Sequence, residues 1–233
     1  MFFNSLIFAI FLPIVFLLYW FVFSKTKTSQ NAFLVVVSYY FYSCWDWRFL
    51  FLLLFSTLLC YFTGIQIEKS KKERTRKFWF WLSIIFNLGF LTIFKYYNFF
   101  AFSFSEALNN IGIQSSPLLL KVILPVGISF YTFQIVGYAF DVYYGVNKPE
   151  KNLGIFSLYI LFFPKLIAGP IEQSSNLLQQ LHKEQHFDYN RITSGIKLIA
   201  WGLFKKVCIA DRLSYFVDTA FNTPDENVGL KAI

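Results

Sequence analysis

The sequence predicts an all-α polytopic membrane protein, and three observations carry that reading. Hydrophobic residues make up 56% of the 233 residues and charged ones only 15%, with a mean hydropathy of +0.50. A soluble domain of this length could not hide so much apolar surface, so lipid must cover part of it. Nearly uncharged runs recur at residues 5–23, 49–67, 78–94 and 124–142, each near the roughly 20 residues that cross a hydrocarbon core. Basic side chains concentrate in the connections between runs.

Run 5–23 is expected to remain as a span. No Lys or Arg precedes it and no small-x-small pattern follows it, as a cleaved signal would require. Lys25 and Lys27 mark an inside loop, which places the N-terminus outside. Residues 32–44 read as a short or tilted span, and "WDWR" (45–48) as an outward corner with its tryptophans at headgroup level. Run 49–67 leads back to "EKSKKERTRK" (68–77), whose basic residues are Lys69, Lys71, Lys72, Arg74, Arg76 and Lys77. Short Lys/Arg-rich loops stay cytoplasmic. The polar stretch 98–117 holds no basic residue and is expected outside. A short basic link between two spans suits anionic lipid headgroups, and no nucleic-acid partner is expected.

Residues 118–142 then run inward to Lys148 and Lys151. "FSLYILFFPKLIAGPIEQ" (156–173) is apolar but interrupted by Pro164, Lys165, Gly169 and Pro170. A dip that returns to the inside keeps Lys183, Arg191, Lys197, Lys205, Lys206 and Arg212 cytoplasmic, so a re-entrant element is expected. In 192–207, Ile192, Ile196, Ile199, Leu203 and Val207 share one helical face, with Lys197, Lys205 and Lys206 off it. That pattern predicts an amphipathic helix along the inner interface or against the bundle. Cys44, Cys60 and Cys208 are scattered and lack metal spacing; they read as small apolar residues.

"LPVGISFYTFQIVGYAFDVYYG" (124–145) keeps groups that hydrocarbon penalises. On a helix, Gly127, Tyr131, Gln134, Tyr138 and Asp141 follow steps of 4, 3, 4 and 3 and fall within a band of about 80°. A charged carboxylate at mid-bilayer costs about 2.5–3.5 kcal/mol, so this face should look into the bundle or a wet cavity. Helix packing around Gly127 and a substrate-lined passage both remain open at this point.

"LPVGISFYTFQ" with "DVYYG", "FFPKLIAGPIE" and "GIKLIAWGLFKKVCIADRL" occur in that order, after "SYYFYSCWDWRFLFLL" nearer the start. Together these blocks resemble the membrane-bound O-acyltransferases, in the branch containing the alginate O-acetylation protein, over nearly the whole chain. The resemblance implies a partial ring of transmembrane helices, with this chain an N-terminal portion of one membrane domain. It implies a cytoplasmic donor, acetyl-CoA or another acyl thioester, and no tightly bound cofactor. The acceptor would be a hydroxyl of an exported polysaccharide such as alginate or another cell-envelope glycan. A periplasmic SGNH-type transferase or esterase would be the partner, and the bacterial inner membrane the location. The acting base would be a histidine in an apolar helix, expected beyond Ile233; the chain alone is therefore expected to be inactive.

Two departures stand out. Many relatives place a basic residue where this chain has Gln173. The histidines present, His182 and His186, lie in the polar "LQQLHKEQHFDYN" with Lys183 and Glu184 between them, which reads as a solvated face and not a metal site. No catalytic role transfers to either. Tyr131, Gln134, Tyr138 and Asp141 are candidates for a pore or substrate path, and Lys165, Lys205 and Lys206 for donor binding. Lys165 also reads as a snorkelling side chain, and Lys205 and Lys206 as inside charge. A transporter or channel, or a non-catalytic scaffold for a partner transferase, are the competing functions.

Overall fold

The computed structural model describes residues 3, 5–112, 116, 119, 125–166, 169–170 and 172–222. Their regular structure is entirely helical. The chain divides into two units, Leu17–Glu184, and Met1–Phe16 with Gln185–Ile233. Helix α1 (Leu6–Leu17) contains Pro13 and continues through a π-helical turn, Leu18–Val22. In the larger unit follow α2 (Lys27–Ser43), α3 (Arg48–Lys69), α4 (Glu73–Asn110), α5 (Ile128–Tyr143), α6 (Leu153–Leu161), α7 (Phe163–Leu166) and α8 (Ser174–His182). The other unit carries α9 (Tyr189–Phe204), which passes through a π-helical stretch at Lys205–Ala210 into α10 (Asp211–Asn222).

Helices α3 and α4 are long and apolar enough to cross a membrane, while Leu6–Val22 and Leu153–Leu166 are shorter apolar helices. Polar and small residues of α3 point inward: Ser56, Thr57, Cys60, Thr63 and Gly64 are buried, whereas Phe51, Phe55, Leu58 and Phe62 are exposed. α4 repeats the pattern, with Ser83 and Asn87 buried and Phe78, Trp81, Ile85 and Phe86 outside. In water that arrangement would be unstable; against lipid tails it is the favoured one, because small and polar residues mediate helix contact there. The buried hydroxyls of Thr57 and Thr63 donate back to Leu53 O (2.8 Å) and Cys60 O (3.1 Å), so they need no water.

Two sequence expectations change. The stretch 98–117 is not a loop from its start, because α4 runs on to Asn110. No Gly or Pro interrupts "NFFAFSFSEALNN", and the helix ends only before Gly112, whose φ is +85°. Its 38 residues make it roughly 57 Å long, well beyond the roughly 30 Å hydrocarbon core. The run 124–142 is not helical from its start either. Gly127 has φ +73° and caps α5, which begins at Ile128, so this glycine serves a left-handed turn instead of close helix packing. The preceding residues 117–118 and 120–124 lie outside the described residues.

α5 packs beside α3 and α4. Cys60 Sγ approaches Ile135 O at 3.8 Å, and Phe80 stacks on the Tyr143 ring. At Gly64 an added Cβ would lie 3.3 Å from Tyr138 Cε1, whereas at Gly89 it would meet nothing within 4 Å. Gly64→Ala should therefore lower the unfolding midpoint in detergent, by about 1–2 kcal/mol of stability. Gly89→Ala should leave it unchanged or raise it by up to about 1 kcal/mol.

Candidate functional site

Helix α5 buries polar and apolar residues alike, Ile128, Ile135, Ala139 and Val142 among them, and exposes its phenylalanines. Tyr131, Gln134 and Tyr138 are 2%, 5% and 1% exposed, whereas Phe130, Phe133 and Phe140 on other faces are exposed. Tyr138 Oη accepts the Glu150 backbone N–H at 2.8 Å, and its ring packs on Phe156 and Tyr159 of α6. Tyr131 Oη, like Tyr42 Oη, Ser83 Oγ and Asn87 Oδ1, is buried and has no hydrogen-bond partner. Asp141 lies at the end of the stripe, where its Oδ2 accepts Ser174 Oγ–H at 2.5 Å.

The broken segment meets this face. In an unbroken α6 the Phe163 N–H would bond the Tyr159 carbonyl, four residues back. Here Phe163 N–H donates to Ser38 Oγ of α2 at 3.2 Å, and Pro164 offers no N–H at all. The freed Tyr159 carbonyl accepts two other donors, Gln134 Nε2 and Lys165 Nζ, each at 2.7 Å. The Lys165 ammonium also lies 4.9 Å from the Tyr159 ring centroid, a cation–π contact. Gly169 closes over it: its N–H reaches Lys165 O at 2.8 Å, and a Cβ there would fall 2.5 Å from Lys165 Cα. No residue with a side chain fits without moving backbone. Between Tyr131, Gln134, Lys165, Leu166, Gly169 and Pro170 lies a cleft of about 10 Å³, roughly one water sphere.

One end of this unit gathers the loops. Arg76 Nη2 donates to Tyr143 O at 2.7 Å, capping α5, while Tyr143 Oη–H donates to Glu73 at 2.8 Å. That hydrogen bond, together with Lys77 and Arg76, holds the Glu73 carboxyl below the usual carboxylate range. Tyr61 Oη–H donates to Lys151 O at 2.6 Å. Glu150 accepts the Asn152 N–H at 2.8 Å and lies 2.6 Å from His182 Nε2. Lys27 and Asn31 of α2 bond the carbonyls of His182 and Leu181. The segment therefore leaves this end through α6 and comes back to it in α8.

Lys165 and the α5 stripe are thus brought together, with Asp141 set apart at the loop end. Lys205 and Lys206 belong to the other unit. Lys206 pairs with Asp211 at 2.5 Å, and Lys205 lies 5.8 Å from the Trp201 ring centroid. No side chain of α9 is buried among the described residues. His182 and His186 fall in different units, and the described residues hold no cluster of three or more metal-ligating side chains. Sequence reading missed Ser38, Tyr159, Glu150 and the role of Gly169. Pro164 signalled the break, but nothing local to Ser38 announces a partner 125 positions away.

Comparison with known proteins bears out the family resemblance. Residues 151–228, which include the broken segment, match the membrane-bound O-acyltransferase family. The chain is 35% identical over 231 residues to the probable alginate O-acetylase AlgI of Pseudomonas aeruginosa, covering 98% of this chain and 44% of that protein. It is 31% identical over 249 residues to the peptidoglycan O-acetyltransferase of Helicobacter pylori, covering 94% and 46%. To the probable alginate O-acetylase AlgI of Pseudomonas putida it is 33% identical over 231 residues, covering 98% and 47%. The chain thus spans somewhat less than half the length of these curated relatives. No solved structure matches it.

Replacing Ser38 with alanine should return the Phe163 N–H to the Tyr159 carbonyl and loosen Lys165. A lost hydrogen bond of about 1 kcal/mol predicts about fivefold faster labelling of the Lys165 amine by an amine-reactive reagent, read by mass spectrometry. Unchanged labelling would show that Ser38 does not hold the break.

Proposed function

We propose that this chain forms part of a membrane O-acetyltransferase that moves an acetyl group from a cytoplasmic thioester to a hydroxyl of an exported polysaccharide. The observation that carries the reading is that the family-matched segment is the one delivering Lys165 to the polar face of α5. Similarity over 98% of the chain to a probable alginate O-acetylase, and over 94% to a peptidoglycan O-acetyltransferase, supports an envelope glycan as acceptor. Acetyl-CoA, or an acyl group on a carrier, is the proposed donor.

In this reading the loop end of the larger unit faces the cytoplasm and the N-terminus faces outward, in the bacterial inner membrane. The positive charge of residues 68–77 and of Lys148 and Lys151 supports that orientation. The segment spanning α6 to α8 acts as a re-entrant element, supported by its return to the same loop cluster. α9 lies along the inner interface, supported by its uncovered apolar side chains Ile196, Ile199 and Leu203. Tyr131, Gln134 and Tyr138 border the acyl path, and Lys165 faces the donor; Lys205 and Lys206 contact anionic headgroups or the donor's phosphates. The general base is proposed to be a histidine in the portion of the relatives' length that this chain does not span, and a periplasmic SGNH-type protein the acceptor-side partner.

Deleting the gene in its host should lower base-labile acetate on the exported polymer. The longer protein carrying this sequence should restore it, and residues 1–233 alone should not. Unaltered acetate after deletion would overturn the assignment. Restoration by residues 1–233 alone would overturn the placement of the base.

A further inference from the structure

A groove of about 480 Å³ opens at the loop end, between residues 147–150 and helix α8 with Lys183 beyond it. That volume falls in the range of about 300–1,000 Å³ that takes small-molecule ligands. Two contacts tie its walls together. The Asn147 side-chain amide lies 2.6 Å from Ser174 Oγ, and Glu150 Oε2 lies 2.6 Å from His182 Nε2. Lys27 Nζ and Asn31 Nδ2 pin the last turn of α8 by bonding the His182 and Leu181 carbonyls at 3.0 and 2.9 Å. The groove is therefore built before anything enters it.

Its polar groups suit an anion. Lys148 on one wall and Lys183 at the end of the other are exposed, and their side chains form no hydrogen bond or ion pair among the described residues. Each ammonium has three donors to give. Glu150, the carboxylate lining this groove, is already spent on His182 and on the Asn152 N–H. Unspent cations beside a paired carboxylate favour phosphate over an amine or a metal ion. The groove on the other side of Lys148 lacks that character, because Glu68 and Glu73 line it together with Lys71 and Arg76. Ser174 also connects the anion-suited groove with the polar face of α5, since its hydroxyl donates to Asp141 at 2.5 Å.

We propose that this groove holds the phosphates of a free coenzyme A thioester, paired with Lys148 and Lys183, so that the acyl group comes from acetyl-CoA directly and not from a carrier protein. The inference rests on the O-acetyltransferase reading and on the loop end facing the cytoplasm, and it names the donor within that reading. Coenzyme A carries a diphosphate and a 3′-phosphate, and so brings several negative charges to one small site. A carrier-borne pantetheine arm brings a single phosphodiester with protein bulk behind it. Two unspent ammoniums on the walls of one narrow groove suit the first donor. Lys148 and Lys183 bind and orient; no bond to the phosphates forms or breaks.

The test uses the full-length protein in proteoliposomes, with the host's own polymer as acceptor. Lys148→Gln and Lys183→Gln should each raise KM for acetyl-CoA about tenfold, with kcat within about threefold. Both side chains are exposed, so neither change disturbs folding. Lys151→Gln, which alters a lysine paired with Glu68 at 4.0 Å and outside this groove, should leave KM as it was. With acetyl-pantetheine, a donor without phosphate, wild type and all three variants should perform alike. Equal KM for acetyl-CoA in wild type and both groove variants would overturn the inference, as would a loss that persists with acetyl-pantetheine. An effect of Lys151→Gln as large as theirs would also overturn it, by making the loss one of general charge. A loss seen only in vesicles containing phosphatidylglycerol would give the lysines to lipid headgroups and overturn it too. Transfer from an acetylated carrier protein but not from acetyl-CoA would overturn it and leave the transferase reading in place. A wild-type protein that transfers acetyl from neither donor would remove the transferase reading itself.

Discussion

A polar face inside an apolar shell is the constraint on which the rest of this structure depends. Hydrocarbon offers no hydrogen bonds, so every polar side chain on a spanning helix must turn toward protein or toward water held by protein. α3, α4 and α5 obey together: Thr63, Asn87 and Gln134 are buried, while Phe62, Phe86 and Phe133 are exposed. Each helix contributes small or polar groups to a common seam, and glycine at position 64 lets Tyr138 close it. Neither the loop cluster nor the broken segment would have a reason to exist without that seam.

The broken segment turns the constraint to use. The Ser38 contact diverts the Phe163 N–H, the helical partner of the Tyr159 carbonyl, leaving an acceptor that membrane interior would penalise. Gln134 from α5 and Lys165 from just beyond the break satisfy it together. One unmade helical hydrogen bond therefore joins α2, α5, α6 and α7 and holds the Lys165 ammonium against Tyr159. The cost of a break in the helix is offset by a fixed charge at a chosen place.

Much of this was legible in the residues. The 3-4-3 spacing of Tyr131, Gln134, Tyr138 and Asp141 needs only the pitch of a helix, and the first three are buried as that spacing implies. The Pro and Gly pattern of 156–173 announced a break. What stayed hidden depends on contact across the chain. Ser38 reads as one more small residue in α2, and Glu150 as loop charge, until a partner arrives from far along the sequence. α4 runs on past the apolar run 78–94 into the polar stretch, because without Gly or Pro nothing stops the helix before Asn110. Gly127 was misread because a glycine at helical spacing looks like a packing site, and its positive φ is invisible in sequence.

Nitroxide accessibility on α5 tests the buried face most directly. With Cys44 and Cys208 replaced by serine, single cysteines at 130, 131, 133, 134, 138 and 140 would be spin-labelled in lipid nanodiscs and their collision with dissolved oxygen measured. The account predicts high oxygen collision at 130, 133 and 140, and low collision at 131, 134 and 138. Equal collision along the helix, or the reverse order, would mean that these polar groups face acyl chains and that no shared interior exists.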